Sequence, residues 1–166
     1  IPFRPLSAAR ARIFEFVKNY YTILLPDAEL VVADDPDRAL FRFNRGRALN
    51  AGVKRSVGEV LVFADTDYLI EPLTMLNSMR LLKPGVGMVV PYTSVYFLTE
   101  DSTHAVCAGL VDPFNTQLSC IDSFDSLATG GFNILTRETF LRVGGFDERH
   151  LGWGYEDASF AGTVQT

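Results

Sequence analysis

The feature that most limits the folds open to this chain is an alternation. Short apolar runs, "AELVVA", "EVLVFA", "VGMVVPY" and "GGFNILT", are bounded by turn residues and separated by longer segments with helical spacing. Such runs are too short for helices and suit strands buried on both faces. Strands alternating with helices predict an α/β domain with a mainly parallel sheet flanked by helices, whose ligands gather where the strands end.

The intervening segments carry their own start and stop signals. "SAARARIFEFVKNYYTILLP" sets Ile13, Val17, Tyr20, Tyr21 and Leu24 at helical spacing, with Ser7 as N-cap and Pro26 as the stop. A second helix is predicted from Arg45 to Ser56, with Leu49 and Val53 on one face and Gly58 past its end. A third starts at Pro72 and carries Leu73, Leu76 and Leu82 up to "KPG". "RETFLRV" reads as a short helix closed by Gly144 and Gly145. From Thr93 to Thr129 no period holds, which predicts loops and irregular strands.

Acidic clusters sit at two predicted strand ends: Asp34-Asp35 after "AELVVA", and Asp65-Thr66-Asp67 after "EVLVFA". Carboxylates one residue apart repel each other unless water or a cation intervenes. Their hard oxygens suit Mg²⁺ or Mn²⁺, ions that take few protein ligands and complete their shells with phosphate and water. "FNRGRALNAG" places Arg45 and Arg47 at a helix opening, where free N–H groups and the helix dipole favour phosphate. Arg4, in "IPFRP", follows another apolar start and is a candidate for the same anion. In "GWGYEDASF", glycines allow close approach to Trp153, and Glu156 and Asp157 stand beside its flat apolar wall. A sugar is held in this way, apolar face on an aromatic ring and hydroxyls on carboxylates. The plainer reading is a Trp that anchors a loop, with two acids in the first turn of the next helix. His104 and His150 read as exposed or hydrogen-bonding side chains rather than ligands.

Charge and composition narrow the partners. The net charge of −5 argues against a general nucleic-acid binder, which needs a basic surface to displace counterions. The 166 residues, 48% hydrophobic and 21% charged, fit one domain with one core. No apolar run approaches the roughly 20 residues that span a bilayer, and no secretory leader pattern is present. Cys107 and Cys120 lack a zinc spacing and are too few for a disulfide framework, so they read as reduced thiols.

Taken in order, "IPFR", "VVADD", "FNRGRALNAG", "VFADTD", "GGFNILTRETFLRVGGFDE" and "GWGYED" resemble the inverting glycosyltransferases of GT-A fold. The likeness is to the β-1,4-galactosyltransferase family and to bacterial chondroitin-polymerase-like members of glycosyltransferase family two. It implies a Rossmann-like GT-A sheet and a single catalytic domain over residues 1–166, incomplete at both ends. By the same resemblance, Pro2, Phe3 and Arg4 meet the nucleotide, Asp34 or Asp35 faces the uracil, and Phe43 and Arg45 complete the base and phosphate site. Asp65 lies near the ribose and the metal, and Asp67 is the direct metal ligand of a DXD motif. Trp153 and Gly154 border the sugars, Glu156 binds acceptor hydroxyls and Asp157 is the general base.

The activity so implied is Mn²⁺- or Mg²⁺-dependent transfer of a hexose or N-acetylhexosamine from a UDP-sugar to a saccharide hydroxyl, as in polysaccharide biosynthesis. A bacterial cytoplasmic setting is expected, with the Golgi lumen as the alternative. Two rivals are a non-catalytic nucleotide-sugar or glycan-binding domain and a nucleotidyltransferase; "PFRPLSAARAR" lacks the glycine-rich loop the latter needs. The chain departs from the family pattern at Leu6, where a second arginine is usual, and at Tyr155, where glycine is usual. The family's further metal ligand, a histidine beyond the last motif, is expected past Thr166.

Overall fold

A computed structural model of the chain describes residues 1–4, 7–37, 42–125, 129–152 and 154–165. The chain divides into two units, Ile1–Pro91 with Thr129–Thr166, and Tyr92–Ala128. In the first, α1 spans Ala8–Leu24 and starts as its sequence directs, with Ser7 Oγ accepting from the Arg10 amide at 3.2 Å. Its buried stripe is Phe14, Val17 and Tyr21. α2 (Arg45–Arg55) is capped by Asn44, whose Oδ1 accepts from the Arg47 amide at 2.8 Å. β1 (Val60–Ala64) leads through a turn into α3 (Pro72–Met79), with Pro72 in the first helical turn, where its missing N–H costs nothing. The apolar face expected of this helix is corrected: Met75 is buried, whereas Leu73 and Leu76 are exposed, and Leu82 lies beyond the helix end. Spacing identifies a stripe but does not say which of two adjacent stripes meets the sheet.

The next strand of this unit is β2 (Met88–Val89); β3 (Ser94–Leu98), α4 (Glu100–Cys107) and β4 (Cys120–Asp125) form the second unit. There β3 pairs with β4 antiparallel, with Tyr96 opposite Ser123, and Thr99 caps α4 through the Ser102 amide. The stretch expected to hold loops and irregular strands thus holds a strand pair whose register shifts between Phe97 and Leu98, and a helix that was not expected. β4 carries polar residues such as Asp122 and Ser123, so no apolar run announces it, and the apolar run of β3, from Val95 to Leu98, is short. The first unit is completed by β5 (Phe132–Thr136), α5 (Arg137–Arg142) and α6 (Glu156–Gln165).

The expectation of a mainly parallel sheet is corrected. The three-stranded sheet has the order β1-β5-β2, with β5 antiparallel to both neighbours: Val60 faces Thr136, Ala64 faces Phe132, and Met88 faces Leu135. β1 and β2 do run in the same direction, as a strand–helix–strand passage through α3 requires, but β5 enters between them from much later in the chain. Among the described residues the parallel pairing is a single bridge, Pro2 to Ala33, and "AELVVA" forms no strand. Local alternation reports a crossover. It carries no information about a strand inserted from more than 40 residues away.

The core explains how the elements reach one another. Phe63 of β1 packs edge-on against Phe146 at 5.4 Å and Phe140 at 5.7 Å, and Phe146 stacks on Phe160 of α6 at 4.1 Å. Burial of each such ring contributes about 1.5–3 kcal/mol. Phe63 lies two residues before Asp65, and Phe160 lies one turn after Glu156 and Asp157. The contacts that build the core thus bring the acidic end of β1 beside the start of α6.

Candidate active site

The acidic turn after β1 is fastened from two sides. The Asp65 amide donates to the Gly131 carbonyl at 2.8 Å, and the hydroxyls of Tyr21 and Tyr20 donate to the carbonyls of Tyr68 at 3.0 Å and Ile70 at 2.8 Å. Gly131 has a φ of +78°, and a side chain there would fall within the Tyr68 ring. Burial raises the Asp67 carboxyl above its usual range; the charge of Asp65 adds to this, and Arg10 and Arg45 oppose it. Two hard carboxylates one residue apart, one of them penalised by burial and a like charge, fit a divalent cation.

Arg45 joins this turn to the far end of the chain. Its Nε donates to Asp65 Oδ1 at 2.7 Å, its Nη1 donates to Asp157 Oδ1 at 2.5 Å, and Glu156 Oε1 lies 3.7 Å from the same Nη1. Its Nη2 is buried without a hydrogen-bond partner among the described residues, a donor suited to an anionic ligand. Asp157 is pushed up to about 6: burial dominates, Arg45 opposes it, and Asp65 and Glu156 add to it. Glu156 is itself buried. The first turn of α6 thus supplies a carboxylate that holds a proton far more readily than a free one does.

The other predicted residues form a neighbouring cluster. Arg4 Nε donates to Asp34 Oδ1 at 2.9 Å and Nη2 to the Asp35 carbonyl at 3.0 Å, while its guanidinium lies 5.3 Å from the centre of the Phe43 ring. Pro2 is buried, and the Phe3 ring stacks on Phe14 of α1 at 3.8 Å. The two acids offered for one role differ sharply. Asp35 is fully buried and accepts from the amides of Asn44 and Asp37, with Arg47 at 3.4 Å, whereas the Asp34 carboxylate is partly exposed. Asp35 is a structural acid that fixes the start of α2, whereas the Asp34 carboxylate pairs with Arg4 nearer the surface.

Sequence reasoning missed the asparagines behind this arrangement. Asn44 donates to the Glu148 carbonyl at 2.6 Å, and Asn50 exchanges hydrogen bonds with Phe146, tying α2 to the loop that precedes α6. The preference for Asn before a helix would have flagged Asn44 as the cap; nothing local marks Asn50. Trp153 and Leu6 lie outside the described residues. Gly154, at φ +111°, turns the chain into Tyr155, at φ +69°.

That left-handed conformation explains why glycine suits this position, and Tyr155, 83% exposed, gains no burial in return. Tyr155→Gly should raise stability by about 0.5–1 kcal/mol, the relieved strain less the added freedom of the unfolded glycine. Thermal melting of the variant checks it; an unchanged or lower midpoint would count against strain at this residue.

The sequence profile of glycosyltransferase like family 2 matches residues 15–163. Human chondroitin sulfate N-acetylgalactosaminyltransferase 2 is 35% identical over 119 residues, which are 69% of this chain and 22% of the relative, and the mouse protein of that name matches equally. The chain spans about a fifth of the length of these relatives. The catalytic domain of Drosophila β1,4-galactosyltransferase 7, in complex with xylobiose, superposes with a TM-score of 0.58 at 18% identity, covering 98% of this chain and 57% of that one. A mutant of the Drosophila enzyme in complex with manganese, UDP-Gal and xylobiose gives 0.59 at 18% identity, covering 96% and 57%. These likenesses fix the α/β architecture as that of such catalytic domains.

Proposed function

The chain belongs to glycosyltransferase like family 2, and from that premise we propose that it carries the donor site and general base of a metal-dependent inverting glycosyltransferase. The reaction moves a hexose or N-acetylhexosamine from a UDP-sugar to a saccharide hydroxyl. One observation carries this reading: Arg45 bonds at once to Asp65, in the acidic turn, and to Asp157, in the last motif. Residues suited to a diphosphate and a residue suited to accept a proton therefore share one site. The names of the human relative and of the Drosophila complexes, with N-acetylgalactosaminyl transfer, UDP-Gal and xylobiose, support the donor and acceptor classes.

Arg4 and Phe43 would hold the base end of the nucleotide with Asp34, and Arg45 would offer its unpartnered Nη2 to a phosphate oxygen. Asp157 would take the proton from the acceptor hydroxyl as that oxygen attacks the anomeric carbon opposite UDP, inverting the configuration. Trp153, Gly154 and Glu156 would shape the acceptor side. A divalent cation on Asp67, with Asp65, would supply charge neutralisation for the departing diphosphate. No helix of the described residues is long and apolar enough to cross a membrane. Because the matched relatives are human and mouse proteins rather than bacterial ones, the Golgi lumen is the setting proposed, in place of the bacterial cytoplasm.

The test is to incubate the full-length protein with Mn²⁺ and a panel of UDP-sugars and to follow UDP release with and without saccharide acceptors. Acceptor-dependent release supports transfer; nucleotide binding without release would make this a binding domain. The pH dependence is a further prediction. Asp157 must be ionised to accept a proton and is raised to about 6. kcat/KM should therefore be level above about pH 7 and fall about tenfold per unit below pH 6. A rate that stays level down to pH 4 would exclude Asp157 as the base.

A further inference from the structure

We propose that Gly130 is a positioning residue for Asp157: by lacking a side chain, it leaves the space in which the Asp157 carboxylate turns onto Arg45. The inference rests on the reading of Asp157 as the base. A Cβ at residue 130 would lie 2.7 Å from Asp157 Oδ2 and 3.4 Å from its Cγ. Real carbon atoms do not approach an oxygen so closely, so something must move.

The backbone at this point is held. The Gly130 carbonyl accepts from the Phe132 amide at 2.9 Å, and the next carbonyl, that of Gly131, accepts from the Asp65 amide at 2.8 Å. The carboxylate is the mobile partner, and its other oxygen is the one that accepts from Arg45 Nη1 at 2.5 Å. Turning it away from residue 130 therefore breaks the bond that aims it.

Among the described residues the charged groups that face Asp157 are Arg45, Asp65 and Glu156, two of them repulsive, so there a carboxylate freed from Arg45 meets no other cation. Gly130 differs from Gly131 in a useful way: its φ lies outside the positive range. Alanine there adds no backbone strain, and the effect of the substitution is transmitted through Asp157.

Gly130→Ala in the full-length protein should lower kcat about 10- to 100-fold, the scale of a small misplacement of a catalytic group. KM for the UDP-sugar and the affinity for UDP should stay within about twofold. In an Asp157→Ala background, where the clashing oxygens are gone, Gly130→Ala should cost neither further turnover nor thermal stability. Should Gly130→Ala alone fail to fold, folding of the double variant supports the proposal and failure of both overturns it. Wild-type turnover in Gly130→Ala, or costs that simply add in the double variant, would also overturn it. Loss of the base reading looks different: Asp157→Ala would then keep wild-type turnover whatever residue 130 does.

Discussion

Asp157→Asn is expected to lower turnover by about 10² or more while leaving Mn²⁺-dependent UDP binding near wild type, whereas Asp67→Ala should lose that binding. The two acids are separable because the fold gives them different neighbours. Asparagine has nearly the shape of aspartate, and its remaining oxygen can still accept from Arg45 Nη1, so the bridge from α2 to α6 survives. What disappears is the ability to take a proton. Asp67 sits in the turn after β1, two residues from the acid that Arg45 also holds, and its carboxyl is raised by burial and by that neighbour. Removing it would take away the proposed ligand of the cation without touching Asp157. Titration with UDP in the presence and absence of Mn²⁺, alongside steady-state rates, tests both. Equal loss of UDP affinity in the two variants would mean that the roles are misassigned.

What could be seen in the sequence was whatever is local. The acidic turn at Asp65 and Asp67 follows an apolar strand, and Arg45 opens a helix marked by Leu49 and Val53, so both were legible from neighbours a few residues away. The partner of Arg45, Asp157, is 112 residues distant, and no periodicity encodes that meeting; it depends on Phe63, Phe146 and Phe160 packing together. Asp34 and Asp35 could not be told apart for the same reason, since the bonds of Asn44 and Arg47 to Asp35 form only once α2 has docked. β5 escaped as a central antiparallel strand because its residues are buried on both faces wherever they are placed, so "GGFNILT" gives a strand but no direction. Gly130 was legible as a glycine and illegible as a contact.

Removal of the divalent ion should abolish transfer, and the reason lies in the count of ligands. Asp65 and Asp67 are the carboxylates at the turn, and Asp65 already gives one oxygen to Arg45 at 2.7 Å. Among the described residues no group of three or more His, Cys, Asp or Glu side chains is arranged to hold a metal. An ion held on this turn by so few protein oxygens would draw its remaining ligands from water, from the donor diphosphate and from the further histidine expected past Thr166. Residues 1–166 by themselves should therefore bind Mn²⁺ weakly, and about tenfold or more tighter in the presence of UDP. By linkage, UDP should tighten by the same factor when Mn²⁺ is present. Calorimetric titration of each ligand with and without the other measures both factors, and their equality is an internal check. Excess chelator should stop acceptor-dependent UDP release, and added Mn²⁺ should restore it. Full turnover in chelator would sink the metal-dependent mechanism and leave Arg45 as the group that meets the charge of the leaving diphosphate.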